Sequence, residues 1–247
     1  MIDSIRFFLL NAFIAVHSIA LCLWGLMLSL FDRDGKRVHF YAAVPWARAI
    51  LWVCGVKVRT SGLENVKPEV PRIYMTNHQS FFDIFGLLAN IPVDFKFIMK
   101  QELMKIPLLG PTMRGAGYIG IEREDPRQAV KSMKQAAQRI RGGVSVVMFP
   151  EGTRSVDGRL LPFKRGGFNL ALKSGCDIVP VAISGSNRIV PKGSLKINKG
   201  CFDMHIGHPI SVKDYDRKNI NQLMDRVRES IEGLMGEGRA PCTTEKD

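Results

Sequence analysis

The stretch Arg72-Ile73-Tyr74-Met75-Thr76-Asn77-His78-Gln79-Ser80-Phe81-Phe82-Asp83 passes from a β-like run into a polar loop and then into a helix. Arg72–Thr76 has strand character, and Ser80-x-x-Asp83 is a capping-box pattern that opens a helix over Ser80–Asn90. The same alternation repeats on both sides. Further candidate strands are Val56–Thr60, Phe95–Met99, Tyr118–Glu122, Val144–Phe149, Ile178–Ser184 and Cys201–Ile206. Helices are expected between them. Pro126–Arg141 has Asp125 as N-cap, Pro126 at the first helical position and Gly142-Gly143 as its stop. Gly166–Ser174 reads as a shorter helix, and Arg217–Met235 as an amphipathic C-terminal one. Strands alternating with helices give an α/β fold with a mixed, largely parallel sheet flanked by helices.

Chemistry in such sheets collects in loops at the carboxyl ends of strands. Two candidate strands end in unusual loops, Thr76-Asn77-His78-Gln79-Ser80 and Pro150-Glu151-Gly152-Thr153-Arg154. In the first, His78 precedes Asp83 by five positions. Chance alone places such a pair in roughly one chain in four of this composition, and Asp83 is equally well explained as a helix cap. The geometry allows both roles. On a continuous helix the two side chains would diverge, but a loop before the helix lets the ring fold onto a first-turn carboxylate. A neutral imidazole then takes a proton from an attacking hydroxyl, while the carboxylate fixes its tautomer. The substrate alcohol replaces a serine, so no enzyme nucleophile is needed. Ser80 is more simply the cap.

In the second loop Gly152 permits a tight turn and close backbone approach, and Arg154 presents planar donors suited to phosphate. Glu151 is positioned to orient Arg154 or bond a substrate hydroxyl. Lys164-Arg165-Gly166-Gly167 opens a helix, where cations and backbone N–H groups attract anions. Lys100 and Arg123 follow two other predicted strands. Each of these bases alone suits a solvated surface. Four basic positions after strand ends suggest an anion site.

The N-terminus differs. Phe7 to Phe31 holds no charged side chain over 25 residues, about 37 Å as a helix, against a hydrocarbon core of about 30 Å. The run exceeds a signal-peptide core and no small-x-small cleavage site follows. A second apolar helix is expected from His39 to Val58, with Arg48 inside it favouring the membrane interface over the bilayer centre. All three tryptophans fall in the first 52 residues, in keeping with a membrane–water boundary. The expected organisation is membrane-associating helices over 1–58, an α/β domain over 59–235 and a flexible tail over 236–247.

Composition limits the partners. The net charge is +12, and hydrophobic residues make up 46%, enough for a packed core. The basic balance favours anionic partners. No zinc finger, RNP-like block or basic-aromatic interleaving points to nucleic acid, so anionic lipid and phosphate take its place. Five scattered cysteines without C-x-x-C argue against a disulfide framework or zinc site.

Four blocks resemble the bacterial 1-acyl-sn-glycerol-3-phosphate acyltransferase family: Asn77–Asp83 (an HX4D motif), Gly117–Arg123, Phe149–Ser155 and Ile178–Ser184. The linking segment Lys100–Met113 is also similar, and the likeness covers about Val56 to Ile210. It departs at Gly120, where a larger residue is common, and at Glu122. The resemblance implies transfer of a fatty acyl group from acyl-CoA or acyl-acyl-carrier protein to the sn-2 hydroxyl of a lysophosphatidate-type lipid. It implies His78 as general base with Asp83 as partner, and Lys100, Arg123, Glu151, Gly152 and Arg154 around the glycerol phosphate. Lys164, Arg165 and Pro180 would then serve the acyl-donor side, with neither metal nor cofactor. The enzyme would work on an anionic membrane, at the cytoplasmic face of the inner membrane. An acyltransferase for another acceptor, such as glycerol-3-phosphate, a lysophospholipid or an ornithine-type lipid, uses the same blocks. A non-catalytic lipid-binding protein would not need His78 and Asp83.

Overall fold

The computed structural model describes residues 2–122 and 125–236. Among these residues, seven strands form one sheet in the order β1-β7-β6-β2-β5-β3-β4. They are β1 (Val56–Ser61), β2 (Ile73–Thr76), β3 (Phe95–Lys100), β4 (Ile119–Ile121), β5 (Ser145–Met148), β6 (Ile178–Ser184) and β7 (Gly200–Ile206). Of the described strand pairs, only β6–β7 is antiparallel. The fold class is therefore the expected one, and each predicted strand is present to within about two residues.

The helices are α1 (Ile2–Ser29), α2 (Lys36–Val38), α3 (Val44–Cys54), α4 (Phe82–Asn90), α5 (Leu109–Gly115), α6 (Pro126–Arg141), α7 (Arg165–Ser174) and α8 (Ile220–Gly236). The central strands are apolar on both faces because helices cover both. Tyr74, Val147, Val179 and Val181 pack with α3 and α4. Their strand neighbours Ile73, Met75, Val146 and Ile178 pack with α6, α7 and α8. This alternation follows from the period of two along a strand.

The fold departs from expectation in two places and adds a segment for which no element was expected. The helix expected over His39–Val58 is a π turn over His39–Ala43 followed by α3, and it stops at Cys54. Gly55 there takes φ 67°, its N–H bonding Leu51 and Trp52 carbonyls, and Val56 and Val58 go to β1. The helix expected from Ser80 starts at Phe82, because the preceding N–H groups turn toward a side chain. The segment after Lys100 folds as a short 3-10 turn (Gln101–Lys105) followed by α5.

The α3 helix is sided. Ala47, Ile50, Leu51 and Cys54 are buried in the core shared with α4, while Trp52 is 82% exposed. Arg48 turns to the end of α4 and donates to the Ala89 carbonyl at 3.3 Å. The long α1 is bound to this layer by Trp46 Nε1 donating to Ser18 Oγ at 2.9 Å, and by Thr112 Oγ1 donating to the Cys22 carbonyl. Its outer side leaves Phe8, Leu9, Val16 and Leu23 exposed. The stretch Ser4–Ser29 has a mean hydropathy of 2.0 and is long and apolar enough to cross a membrane. Cys22, Cys54 and Cys176 are buried free thiols, as scattered cysteines suggest.

Candidate active site

Strand β2 lies between β5 and β6, so the loops leaving β2 and β5 emerge side by side at the carboxyl edge. Three side chains pin the first loop. Asn77 acts as an extra strand partner: its Nδ2 donates to the Ile183 carbonyl at 2.8 Å and its Oδ1 accepts the Ile183 N–H at 2.7 Å. Gln79 Nε2 donates to the Gly158 carbonyl and its Oε1 accepts from Gly185 N–H. Ser80 Oγ donates to the Val190 carbonyl at 2.9 Å and accepts from Phe82 N–H. His78 is thereby held in place while its ring lines a cavity.

The ring stacks on Phe149 with 3.9 Å between centroids. His78 Nδ1 lies 2.7 Å from Asp83 Oδ2. The same oxygen accepts the N–H groups of Gln79 at 2.7 Å and Ser80 at 2.9 Å. One carboxylate thus closes the turn that starts α4 and contacts the imidazole, so the two readings of the motif are geometrically compatible. Asp83 is fully buried, and three donors on one oxygen suit an acceptor-only carboxylate. With Nδ1 bonded to Asp83, Nε2 is the ring nitrogen left for the cavity.

The second loop follows β5. Gly152 takes φ 73°, a conformation that favours glycine, and lines the same cavity as His78. The Lys164 side chain lies across it, since a Cβ at Gly152 would come within 3.1 Å of Lys164 Cε. Arg154 stacks over the Phe81 ring at 3.7 Å, a cation–π contact. Its carbonyl accepts from Lys192 Nζ at 2.7 Å. Glu151 is turned away from Arg154. Its Oε1 accepts the His78 N–H at 2.7 Å and its Oε2 the Leu161 N–H at 3.0 Å. Burial pushes the Glu151 carboxyl up to about 7, against the pull of these two donors.

The structure thus brings together His78, Asp83, Glu151, Gly152, Arg154 and Lys164. Lys100 also lines the cavity, paired with Glu102 at 3.1 Å. Arg165 points instead to α8, where it donates to Asn221 Oδ1 at 2.8 Å. Pro180 is buried within β6, in step with Ile178 and Ala182 on the face covered by α6, α7 and α8, and does not line the cavity. Being inside a strand, it is a proline whose missing N–H the sheet tolerates and whose side chain packs against Gly207. Arg123 lies outside the described residues. Sequence reasoning missed Asn77 and Gln79 as loop clamps, and Phe81, Phe149 and Lys192 as neighbours. The unbroken polar-aromatic run Asn77–Phe82 was the available signal for the first group. Nothing distinguished Lys192.

The cavity measures about 650 Å³, within the usual range for a single-ligand site. From His78 and Gly152 it extends past Phe85 and Phe97 to Ile14, Trp46 and Tyr118, between the sheet and the N-terminal helices. An imidazole–carboxylate pair thus opens onto a largely apolar chamber, with Lys100 in its lining and Lys164 beside Gly152. The arrangement fits a polar, anionic head group at the sheet edge and a hydrocarbon chain inside.

Comparison with known proteins gives a consistent picture. Residues 57–184 match the acyltransferase family model. A chloroplastic 1-acyl-sn-glycerol-3-phosphate acyltransferase of Brassica napus is 39% identical over 204 residues, 82% of this chain and 57% of the relative. The chain thus spans little more than half the length of that relative. A 1-acyl-sn-glycerol-3-phosphate acyltransferase of Limnanthes douglasii is 31% identical over 93% of this chain and 81% of its own length. The crystal structure of the 1-acyl-sn-glycerophosphate acyltransferase PlsC from Thermotoga maritima superposes with a TM-score of 0.79 at 26% identity, covering 96% of this chain and all of the other.

Proposed function

The chain belongs to the 1-acyl-sn-glycerol-3-phosphate acyltransferase family, and on that footing we propose that it acylates the sn-2 hydroxyl of 1-acyl-glycerol-3-phosphate. The donor is a thioester, acyl-CoA or acyl-acyl-carrier protein, and the products are phosphatidic acid and the free thiol. The observation that carries this reading is the 2.7 Å contact of His78 Nδ1 with Asp83 beside the apolar cavity that His78 lines.

In this mechanism the acceptor hydroxyl bonds to His78 Nε2. As its oxygen attacks the thioester carbonyl, the proton passes to the imidazole, and Asp83 stabilises the resulting imidazolium. The tetrahedral adduct then collapses. The C–S bond breaks, and the proton on His78 goes to the departing sulfur. No acyl-enzyme forms. The lysolipid phosphate is held by Arg154, Lys164 and Lys100, with Gly152 allowing close approach, and a hydrocarbon chain occupies the cavity beyond Phe85. The exposed apolar side of α1 and Trp52 seat the molecule on an anionic membrane, at the cytoplasmic face of the inner membrane.

The test supplies anionic liposomes carrying 1-acyl-glycerol-3-phosphate, glycerol-3-phosphate, a lysophospholipid or a lyso-ornithine lipid, each with acyl-CoA and with acyl-acyl-carrier protein. Phosphatidate formation from the first acceptor at the highest kcat/KM supports the proposal. Acylation of another acceptor with no phosphatidate overturns it.

A further inference from the structure

A chain of hydrogen bonds leads from the C-terminal helix to the His78 loop. Arg228, on α8, donates from Nη1 to the Leu161 carbonyl at 2.9 Å and from Nη2 to the Leu160 carbonyl at 3.0 Å. Its guanidinium also pairs with Glu232 at 2.9 Å and lies over the Phe163 ring. The Leu161 N–H donates to Glu151 Oε2, and Glu151 Oε1 accepts the His78 N–H. His78 then meets Asp83. Glu151 is 2% exposed, and the cavity is lined by its neighbours Phe149 and Gly152 but not by Glu151 itself. A carboxylate in that position braces two backbone segments and is poorly placed to touch a lipid. Arg228 falls beyond residues 57–184 that match the family model.

We propose that Glu151 and Arg228 are positioning residues, which act through the 160–161 strap to let α8 set the attitude of the His78 imidazole. This rests on the general-base reading of His78. A bidentate guanidinium fixes the strap in two directions. Glu151 then transmits that position to the residue whose ring must meet the acceptor hydroxyl. Misplacement of a catalytic group by about 1 Å costs up to 10²-fold in rate. The effect of loosening this brace therefore falls on turnover more than on acceptor binding.

The experiment measures kcat and acceptor KM for the full chain, Glu151→Gln, Arg228→Met and the double variant, with acyl-CoA and 1-acyl-glycerol-3-phosphate. In parallel, the His78 ring is followed by NMR after nitrogen-15 labelling of histidine. Each single variant is expected to lower kcat by about tenfold or more, with KM within about twofold. The double variant is expected to be no worse than the more severe single one, because both break one chain of contacts. The His78 ring signal shifts in both. A raised acceptor KM with wild-type kcat for Glu151→Gln makes Glu151 a substrate ligand and overturns the proposal. Wild-type kcat and an unmoved His78 signal in Arg228→Met also overturn it. Should Glu151→Gln fail to fold, Arg228→Met decides alone. Absence of phosphatidate from the wild type defeats the proposed reaction, whereas the ring signal still reports on the brace.

Discussion

Asp83 Oδ2 holds the His78 ring and two backbone N–H groups together, so at the residue scale one atom both closes the turn before α4 and fixes the imidazole, the carboxylate's part in the proposed mechanism. The sequence shows the pair but not this union, since spacing alone leaves the ring's direction open. Glu151 shows the opposite case. Its place beside Arg154 suggests a substrate or arginine contact, and the fold turns it inward to backbone donors. Its titration is a separate prediction. Burial lifts the carboxyl to about 7, above the usual glutamate value of about 4.3 in an unfolded chain. The folded state therefore binds the proton more tightly. The stability this adds is complete below the unfolded value and is lost as pH rises through about 7. Its size is on the order of 3 kcal/mol. The thermal midpoint of the wild type should fall between about pH 5 and 8 relative to Glu151→Gln, which carries no titrating group there. Parallel curves would contradict the buried, proton-retaining carboxyl.

Among elements, α4 carries Asp83 at its first turn and sits tight on the sheet. A Cβ at Gly86 would come within 2.7 Å of the Phe202 ring on β7. Gly86→Val should push α4 outward, lower stability by about 1–3 kcal/mol for an overpacked contact, and lower acyl transfer along with it. Denaturant unfolding and a rate assay check this, and wild-type stability would show that α4 is not seated by that contact. The strands were legible because apolar runs bounded by Gly, Pro and polar residues leave little choice of strand in a two-faced parallel sheet. Helix α6 was legible from Asp125, whose carboxylate accepts the Arg127 and Gln128 N–H groups. The 3-10 turn and α5 were not. The run Ile106-Pro107-Leu108-Leu109-Gly110-Pro111 offers no such cap and has no helical period, and its fold depends on packing against α1. Likewise Gly55 and the two valines around Lys57 decide where α3 stops, a choice that an apolar count overlooks.

Over the whole molecule, the sheet separates two layers. α3 and α4 share one layer with the inner side of α1 and the cavity, while α6, α7 and α8 form the other. The exposed apolar residues of α1 border the cavity's layer, so the side suited to lipid and the chamber suited to an acyl chain coincide. Lys164, Arg154 and Lys100 stand where that chamber meets the carboxyl edge of the sheet. This convergence makes the His78–Asp83 pair informative, because the pair alone has ordinary explanations. The decisive measurement is the initial rate of phosphatidate formation by His78→Ala with both substrates saturating. The proposed mechanism predicts a fall of about 10²–10⁴-fold, the usual contribution of a general base, with acceptor KM and thermal stability close to wild type. A variant that turns over at the wild-type rate would show that His78 does not activate the acceptor hydroxyl.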